Sequence, residues 1–181
     1  MGRNKMLLTL QGESLLRRAT KRALHAGLAP VVVVVGHEPD QTRAQICDLP
    51  VEVVLNTAYT GPTSSSLHRG LEALGPQVGA AIVMLADMVL VTEEMLTVLG
   101  ATAATSNAPL VVSRYGEVTA PPLLFQRVLF PELLGWTGAG CGKAVVKRHL
   151  HEAMMVDWPA VDLTDVDTPE DLKAAESLVA G

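Results

Sequence analysis

Five consecutive valines occupy residues 31–35 and end on Gly36. β-Branched side chains are stiff at their first torsion and favour a pleated backbone. No polar residue alternates with them, so neither face of the segment suits water. The run therefore predicts a strand covered on both sides, the kind found in parallel sheets flanked by helices.

The segments around the valines alternate in the way such a sheet requires. Residues 14–27 repeat with helical period: Leu15, Leu16, Ala19, Ala23 and Ala26 form one stripe, and Gly27 is a stop. Arg17, Arg18, Lys21 and Arg22 lie mostly off that stripe and are expected on a solvated outer face. A short helix is expected over 40–47, a strand over 51–55, a helix over 65–74 and a second buried strand over 79–85. Thr92 is placed to cap a helix over 93–104, with Glu93 and Glu94 at its positive end. Further strands are expected over 109–113, 122–125 and 153–156, and further helices over 127–134 and 142–151. The last helix starts behind Thr168-Pro169-Glu170-Asp171, with proline and acid in the first turn. Residues 1–181 thus predict one α/β domain of three layers, α/β/α, around a mostly parallel sheet. The strands at 31–35 and 81–85 are expected to be adjacent or nearly so within it.

Composition narrows the classes of partner. Aromatic residues make up 3% of the chain, so its core must be built from valine, leucine and alanine. The formal net charge of -5 and the lack of a basic block argue against nucleic acid. No apolar run approaches the length of a membrane span and no secretory leader is visible, so no membrane partner and a cytoplasmic location are expected. Cys47 and Cys141 form no CxxC pair, and His68, His149 and His151 have no metal-ligand spacing.

In a sheet of this class ligands bind outside the carboxyl ends of the strands. Asp87 follows the strand at 79–85 directly, where a carboxylate can hold Mg²⁺; the alternative is a cap for the helix near Thr92. A second carboxylate must come from elsewhere in the chain. Asp167 is the candidate, within the cluster Asp162, Asp165, Asp167 and Asp171. The alternative there is a helix-cap network, and Asp171 suits the first turn of the last helix. Ser64, Ser65 and Ser66 open the helix after the second strand and can supply donors to an anion or a base edge. The turn at 138–143, Gly-Ala-Gly-Cys-Gly-Lys, also has the look of an anion site but lacks the spacing of a Walker A loop. Lys143 there either faces phosphate or is a surface lysine.

Four segments together resemble the molybdenum-cofactor cytidylyltransferase-like, or MobA-like, nucleotidyltransferases. Residues 1–8 resemble the end of the family signature Leu-Ala-Ala-Gly-x-Ser-x-Arg-Met-Gly-x-x-Lys-x-Leu-Leu. Residues 61–70 resemble its Gly-Met-x-x-Ser-Leu-x-x-Gly segment, residues 85–91 its Leu-Ala-Asp-Met-Pro-x-Val metal motif, and residues 165–172 its carboxyl-terminal motif. The resemblance implies a Rossmann-like nucleotidyltransferase fold and transfer of a nucleotidyl group from an NTP, with CTP favoured. The acceptor it implies is molybdopterin or a similar small phosphorylated molecule, with pyrophosphate released and a molybdoenzyme as recipient of the cofactor. Lys5 would neutralise the triphosphate and act in catalysis with Asp87. Asp87 and Asp167 would hold Mg²⁺, and Ser65, Ser66 and Lys143 would line the nucleotide site.

The departures from the pattern leave other readings open. The first half of the signature, with its strand and glycine-rich loop, does not precede residue 1, so the chain as it stands is expected to turn over poorly. Ala120-Pro121-Pro122 stands where the family has Gly-His-Pro, Ala139 where it has an acid, and Lys143 where it has arginine. The alternatives are a nucleotide- or cofactor-binding relative without turnover, and a transferase acting on a sugar phosphate or small-alcohol phosphate.

Overall fold

The computed structural model describes residues 4–179. The first three residues of the segment resembling the signature lie outside the described residues. Asn4 opens the described chain by capping a 3-10 turn, Lys5–Leu7, its side chain accepting from the Met6 amide. A small hairpin follows, β1 Thr9–Leu10 and β2 Glu13–Ser14. Gln11 and Gly12 turn it with φ of 53° and 82°, the left-handed pair that a two-residue hairpin needs. Ser14 then caps α1, Leu15–His25, by accepting from the Arg17 amide.

Next come β3 Val32–Val35, α2 Pro39–Ala44, β4 Glu52–Leu55, α3 Ser64–Ala73 and β5 Ala80–Val83. After them lie α4 Glu93–Thr105, β6 Leu110–Tyr115, β7 Val118–Gln126, α5 Phe130–Leu134, α6 Cys141–His149, β8 Met154–Trp158 and α7 Pro169–Val179. Thr92 caps α4 as expected, accepting from the Met95 amide, with both glutamates in the first turn.

The architecture is α/β, with helices alternating with strands and with parallel sheet segments, as in Rossmann-like nucleotidyltransferases. β3 and β4 pair in parallel, from Val32 opposite Glu52 to Val35 opposite Leu55. A four-stranded sheet follows in the order β5-β7-β6-β8, in which β6 and β8 are parallel and β7 is antiparallel to both β5 and β6. The reversal at β7 has a local cause. Only Gly116 and Glu117 separate Tyr115 from its partner Val118, and a two-residue link can join only antiparallel strands.

The alternation of side chains along β6 and β7 builds the layers. Leu110, Val112, Leu123 and Phe125 pack with Leu71, Leu133 and Val145 under α3, α5 and α6. Val111 and Leu124 face the other way, onto Leu99 and Ala103 of α4. β3 is likewise covered twice. Val33 and Val35 pack on Leu16 of α1 and on Ile46, and Val34 meets α3 at Gly70, where an added Cβ would lie 3.3 Å from Val34 Cγ2.

One detail departs from the sequence reading. The basic run on α1 is not simply solvated. Arg17 pairs with Asp48 at 2.6 and 2.8 Å, Lys21 with Glu13 at 2.8 Å, and Arg22 reaches the Val89 carbonyl at 2.7 Å. β3 and β5 line the same cavity from two sides and, among the described residues, no ladder joins them.

Candidate active site at the carboxyl ends of β3 and β5

Lys5 is where distant segments meet. Its Nζ donates to Asp87 Oδ2 at 2.5 Å and to Asp167 Oδ1 at 2.8 Å. The two carboxylate oxygens are thus no farther apart than those two contacts laid end to end. Backbone pairing accounts for this meeting of residues far apart in sequence. The Val166 amide donates to the Asp87 carbonyl at 3.1 Å, and Met88 forms a β-bridge with Asp165. Val166 is wholly buried with Leu10, Leu15, Val89 and Ala175, and this anchors the segment carrying Asp167 beside the turn that follows β5.

The two readings of the acidic cluster divide between two residues. Asp171 Oδ2 accepts from the Asp167 and Thr168 amides at 3.1 and 2.7 Å, and its own amide donates to Thr168 Oγ1 at 3.1 Å. The cap network is therefore Asp171's, which leaves the Asp167 carboxylate facing Lys5. Asp87 does not cap α4; Thr92 does. On the other side, Asn4 Nδ2 donates to the His37 carbonyl at 3.0 Å and to Thr42 Oγ1 at 3.2 Å, tying the turn that bears Lys5 to the end of β3 and to α2.

Partial burial alone would lower the Lys5 pKa. The hydrogen bonds and charges of Asp167 and Asp87 outweigh it, so the ammonium is held above its ordinary range. Asp165 is pushed up from the usual carboxylate range, first by burial and then by the charges of Asp87 and Asp167, with Lys5 opposing. Three carboxylates thus crowd one ammonium, and such a site attracts further positive charge.

Among the described residues no group of three or more His, Cys, Asp or Glu side chains is arranged to hold a metal ion. Two hard oxygen donors that already share one cation do fit Mg²⁺, which commonly takes one or two carboxylates and fills its shell with water and substrate phosphate.

Ser65 and Ser66 lie at the start of α3, after β4. Buried Asn56 donates through Nδ2 to both hydroxyls, each at 2.9 Å, while its Oδ1 accepts from the Ala58 amide at 3.0 Å. Asn56 went unnoticed in the sequence, where its only signal is its position directly after a strand. Ser64 Oγ donates to the Gly138 carbonyl at 2.5 Å and so links α3 to the turn before α6. Lys143 is exposed in the first turn of α6 and, among the described residues, shows no ion pair. No direct contact brings Ser65, Ser66 or Lys143 to the Lys5 cluster, although Ser66 and Asn4 line the same cavity.

Lys5, Asp87 and Asp167 thus meet beyond the carboxyl ends of strands, the place where α/β sheets bind ligands. The sequence profile of the MobA-like NTP transferase domain matches residues 1–153, and the chain belongs to that family. It is 33% identical over 129 residues to the bifunctional protein GlmU of Streptomyces griseus subsp. griseus, an alignment covering 65% of this chain and 27% of that protein. The chain thus spans about a quarter of the length of the curated relatives it matches.

Among solved structures, Rv0371c from Mycobacterium tuberculosis H37Rv superposes with a TM-score of 0.86 at 22% identity, over 98% of this chain and 90% of that one. A manganese complex of Rv0371c superposes at 0.81 with 22% identity, covering 97% and 93%. The 4-diphosphocytidyl-2C-methyl-D-erythritol synthase of Anaerococcus prevotii gives 0.78 at 11% identity, covering 96% and 88%. Molybdopterin-guanine dinucleotide biosynthesis protein A of Archaeoglobus fulgidus gives 0.65 at 17% identity, covering 99% and 92%. At these identities the superpositions speak for the fold alone.

Proposed function

We propose that the protein transfers a nucleotidyl group from an NTP to a small phosphorylated acceptor with the help of a divalent cation. The observation that carries this reading is the meeting of Lys5, Asp87 and Asp167 at one point beyond the strand ends. An acceptor phosphate oxygen attacks the α-phosphorus, the bond from that phosphorus to the bridging oxygen breaks, and pyrophosphate leaves. Such chemistry needs alignment and charge neutralisation more than covalent help. Asp87 and Asp167 would hold Mg²⁺, which supplies positive charge to the phosphates when bound. Lys5 would turn from the carboxylates to the departing pyrophosphate. Ser65 and Ser66, oriented by Asn56, would donate to the nucleotide, and Lys143 would meet phosphate at the far side of α3.

For the acceptor, we favour a sugar phosphate or small-alcohol phosphate over molybdopterin. The acceptor half carries Ala139 and Ala120-Pro121 where the molybdopterin pattern has an acid and Gly-His, and the curated relatives that the chain matches in sequence are bifunctional GlmU proteins, not molybdopterin proteins. CTP with molybdopterin remains the second reading, supported by the family match over residues 1–153. The test is pyrophosphate release with Mg²⁺, pairing CTP, GTP and UTP with methylerythritol phosphate, a set of sugar 1-phosphates and molybdopterin. Release that depends on a small-alcohol or sugar phosphate and disappears in Asp87→Asn supports the reading. Saturable Mg²⁺–NTP binding without release for any acceptor would leave a nucleotide-binding relative instead.

A further inference from the structure

The basic run on α1 is only partly neutralised. Arg17 is paired with Asp48, and Lys21 with Glu13. Arg18 and Arg22 stand one helical turn apart, and among the described residues neither has a carboxylate partner. Arg18 makes one long contact, from Nη1 to Gln11 Oε1 at 3.3 Å. Its Nε is closed off from solvent and, among the described residues, has no hydrogen-bond partner. Arg22 uses Nη1 on the Val89 carbonyl at 2.7 Å. Burial, and after it the charge of Arg18, pull the Arg22 guanidinium below its ordinary pKa, with Glu93 opposing.

Both arginines line a notch of about 190 Å³, together with Glu13, Lys21, His25 and Glu93. The two acids there are already engaged. Glu13 Oε1 accepts from Lys21 at 2.8 Å and lies 3.8 Å from Arg17 Nε, and Glu93 Oε1 lies 2.9 Å from His25 Nδ1. With His25 neutral, the notch carries three positive charges against two negative ones. It is a positive spot on a chain whose formal net charge is -5. Arginine does not give up its proton at ordinary pH, so two partly buried guanidiniums can relieve each other only through an anion.

We propose that this notch is an anion site, in which Arg18 and Arg22 together hold a small oxyanion of the phosphate class, free or as a monoester. The planar guanidinium fork matches the oxygens of such a group, and bonds of this kind are among the strong ones. The notch is smaller than the roughly 300 Å³ at which pockets for drug-sized ligands begin, so it suits a phosphate group with little attached. The Arg22 bond to the Val89 carbonyl, two residues beyond Asp87, sets the notch against the segment that carries Asp87. The site includes none of Lys5, Asp87 and Asp167 and does not rest on the proposed reaction, so either can fail alone.

The test follows the arginine Nε–Hε signals of the full chain in proton–nitrogen correlation spectra while inorganic phosphate replaces chloride at constant ionic strength. A second titration uses methyl phosphate, and a third raises chloride alone. The Arg18 and Arg22 signals, assigned from Arg18→Gln and Arg22→Gln, should shift saturably with phosphate and not with chloride. Arg18→Gln should weaken that binding about tenfold or more, the scale of a lost charge-assisted hydrogen bond. Lys147→Gln, which removes an exposed charge on α6, and Lys5→Met should leave it unchanged. Methyl phosphate shifting the same signals extends the site to monoesters, and phosphate alone shifting them confines it to the free anion. The proposal is overturned if neither arginine signal responds, or if chloride moves them as much as phosphate does. It is equally overturned if Arg18→Gln binds phosphate as tightly as the parent, if Lys147→Gln weakens binding as much as Arg18→Gln, or if Lys5→Met abolishes it.

Discussion

Replacing Lys5 with methionine should move two affinities in opposite directions. The side chain keeps its approximate length and loses its charge. In the structure the ammonium donates to Asp87 and Asp167, with Lys5 39% exposed and Asp167 62% exposed. Ion pairs that open to solvent contribute about 0–1 kcal/mol each. A divalent cation bound by the same oxygens must first displace Lys5, so Lys5→Met should bind Mn²⁺ alone more tightly, by about 1 kcal/mol or roughly fivefold. The metal–nucleotide complex should behave the other way. There Lys5 is released to meet phosphate, and a hydrogen bond to a charged group contributes about 1.5–3 kcal/mol. Binding of Mn²⁺–CTP should therefore weaken by about ten- to a hundredfold. Titration calorimetry at low ionic strength, where screening is smallest, measures both. Asp87→Asn serves as the control and should weaken both. If Mn²⁺ affinity is unchanged or falls in Lys5→Met, Lys5 does not compete for the carboxylates. If Mn²⁺–CTP affinity is unchanged, Lys5 does not reach the phosphates.

Three further outcomes are expected. Ser113 is fully buried and donates to the Pro122 carbonyl at 2.7 Å, where the β6–β7 register shifts. Ser113→Ala leaves that carbonyl unpaired and should destabilise the chain by about 1–3 kcal/mol in urea denaturation. Asp165 has a folded pKa raised above its ordinary 3.8, so the folded chain binds more protons and stability falls as pH rises from about 3.8 through the folded value. Asp165→Asn should therefore raise the melting temperature at pH 7, with the gain disappearing below about pH 4; a gain that persists at pH 3 would contradict the assignment. Cys47 is exposed, whereas Cys141 is buried, donates to the Leu133 carbonyl and has its thiol pKa raised by burial and by Glu132. Iodoacetamide at pH 8 should label Cys47 alone in the native chain and both cysteines after denaturation, as peptide mass mapping would report.

What could be read from the sequence was what depends on near neighbours. Thr92 and its two glutamates announce α4, and the valine run announces β3, because capping and two-sided burial leave a local pattern. The hairpin β1–β2 left none, since strands of two residues have no period to detect. β7 was read too short because its first residues, Val118 to Ala120, are only partly covered. The strand expected over 79–85 ends at Val83 because Leu85 turns out to solvent, and that turn is what carries Asp87 away from the sheet. The pairing of Asp87 with Asp167 was legible as a candidate, from a strand-end position, an acidic cluster and family likeness. Its physical means, a bond from the Val166 amide to the Asp87 carbonyl and the burial of the Val166 side chain, is a long-range event that neither segment encodes alone. Asn56 was hidden for a similar reason: an asparagine after a strand reads as loop until the two hydroxyls it holds are seen beside it. β3 is the plainest case of the same rule. The run of five valines reports that both faces want cover, but that α1 and α3 supply it, through Leu16 and Gly70, is visible only in the fold.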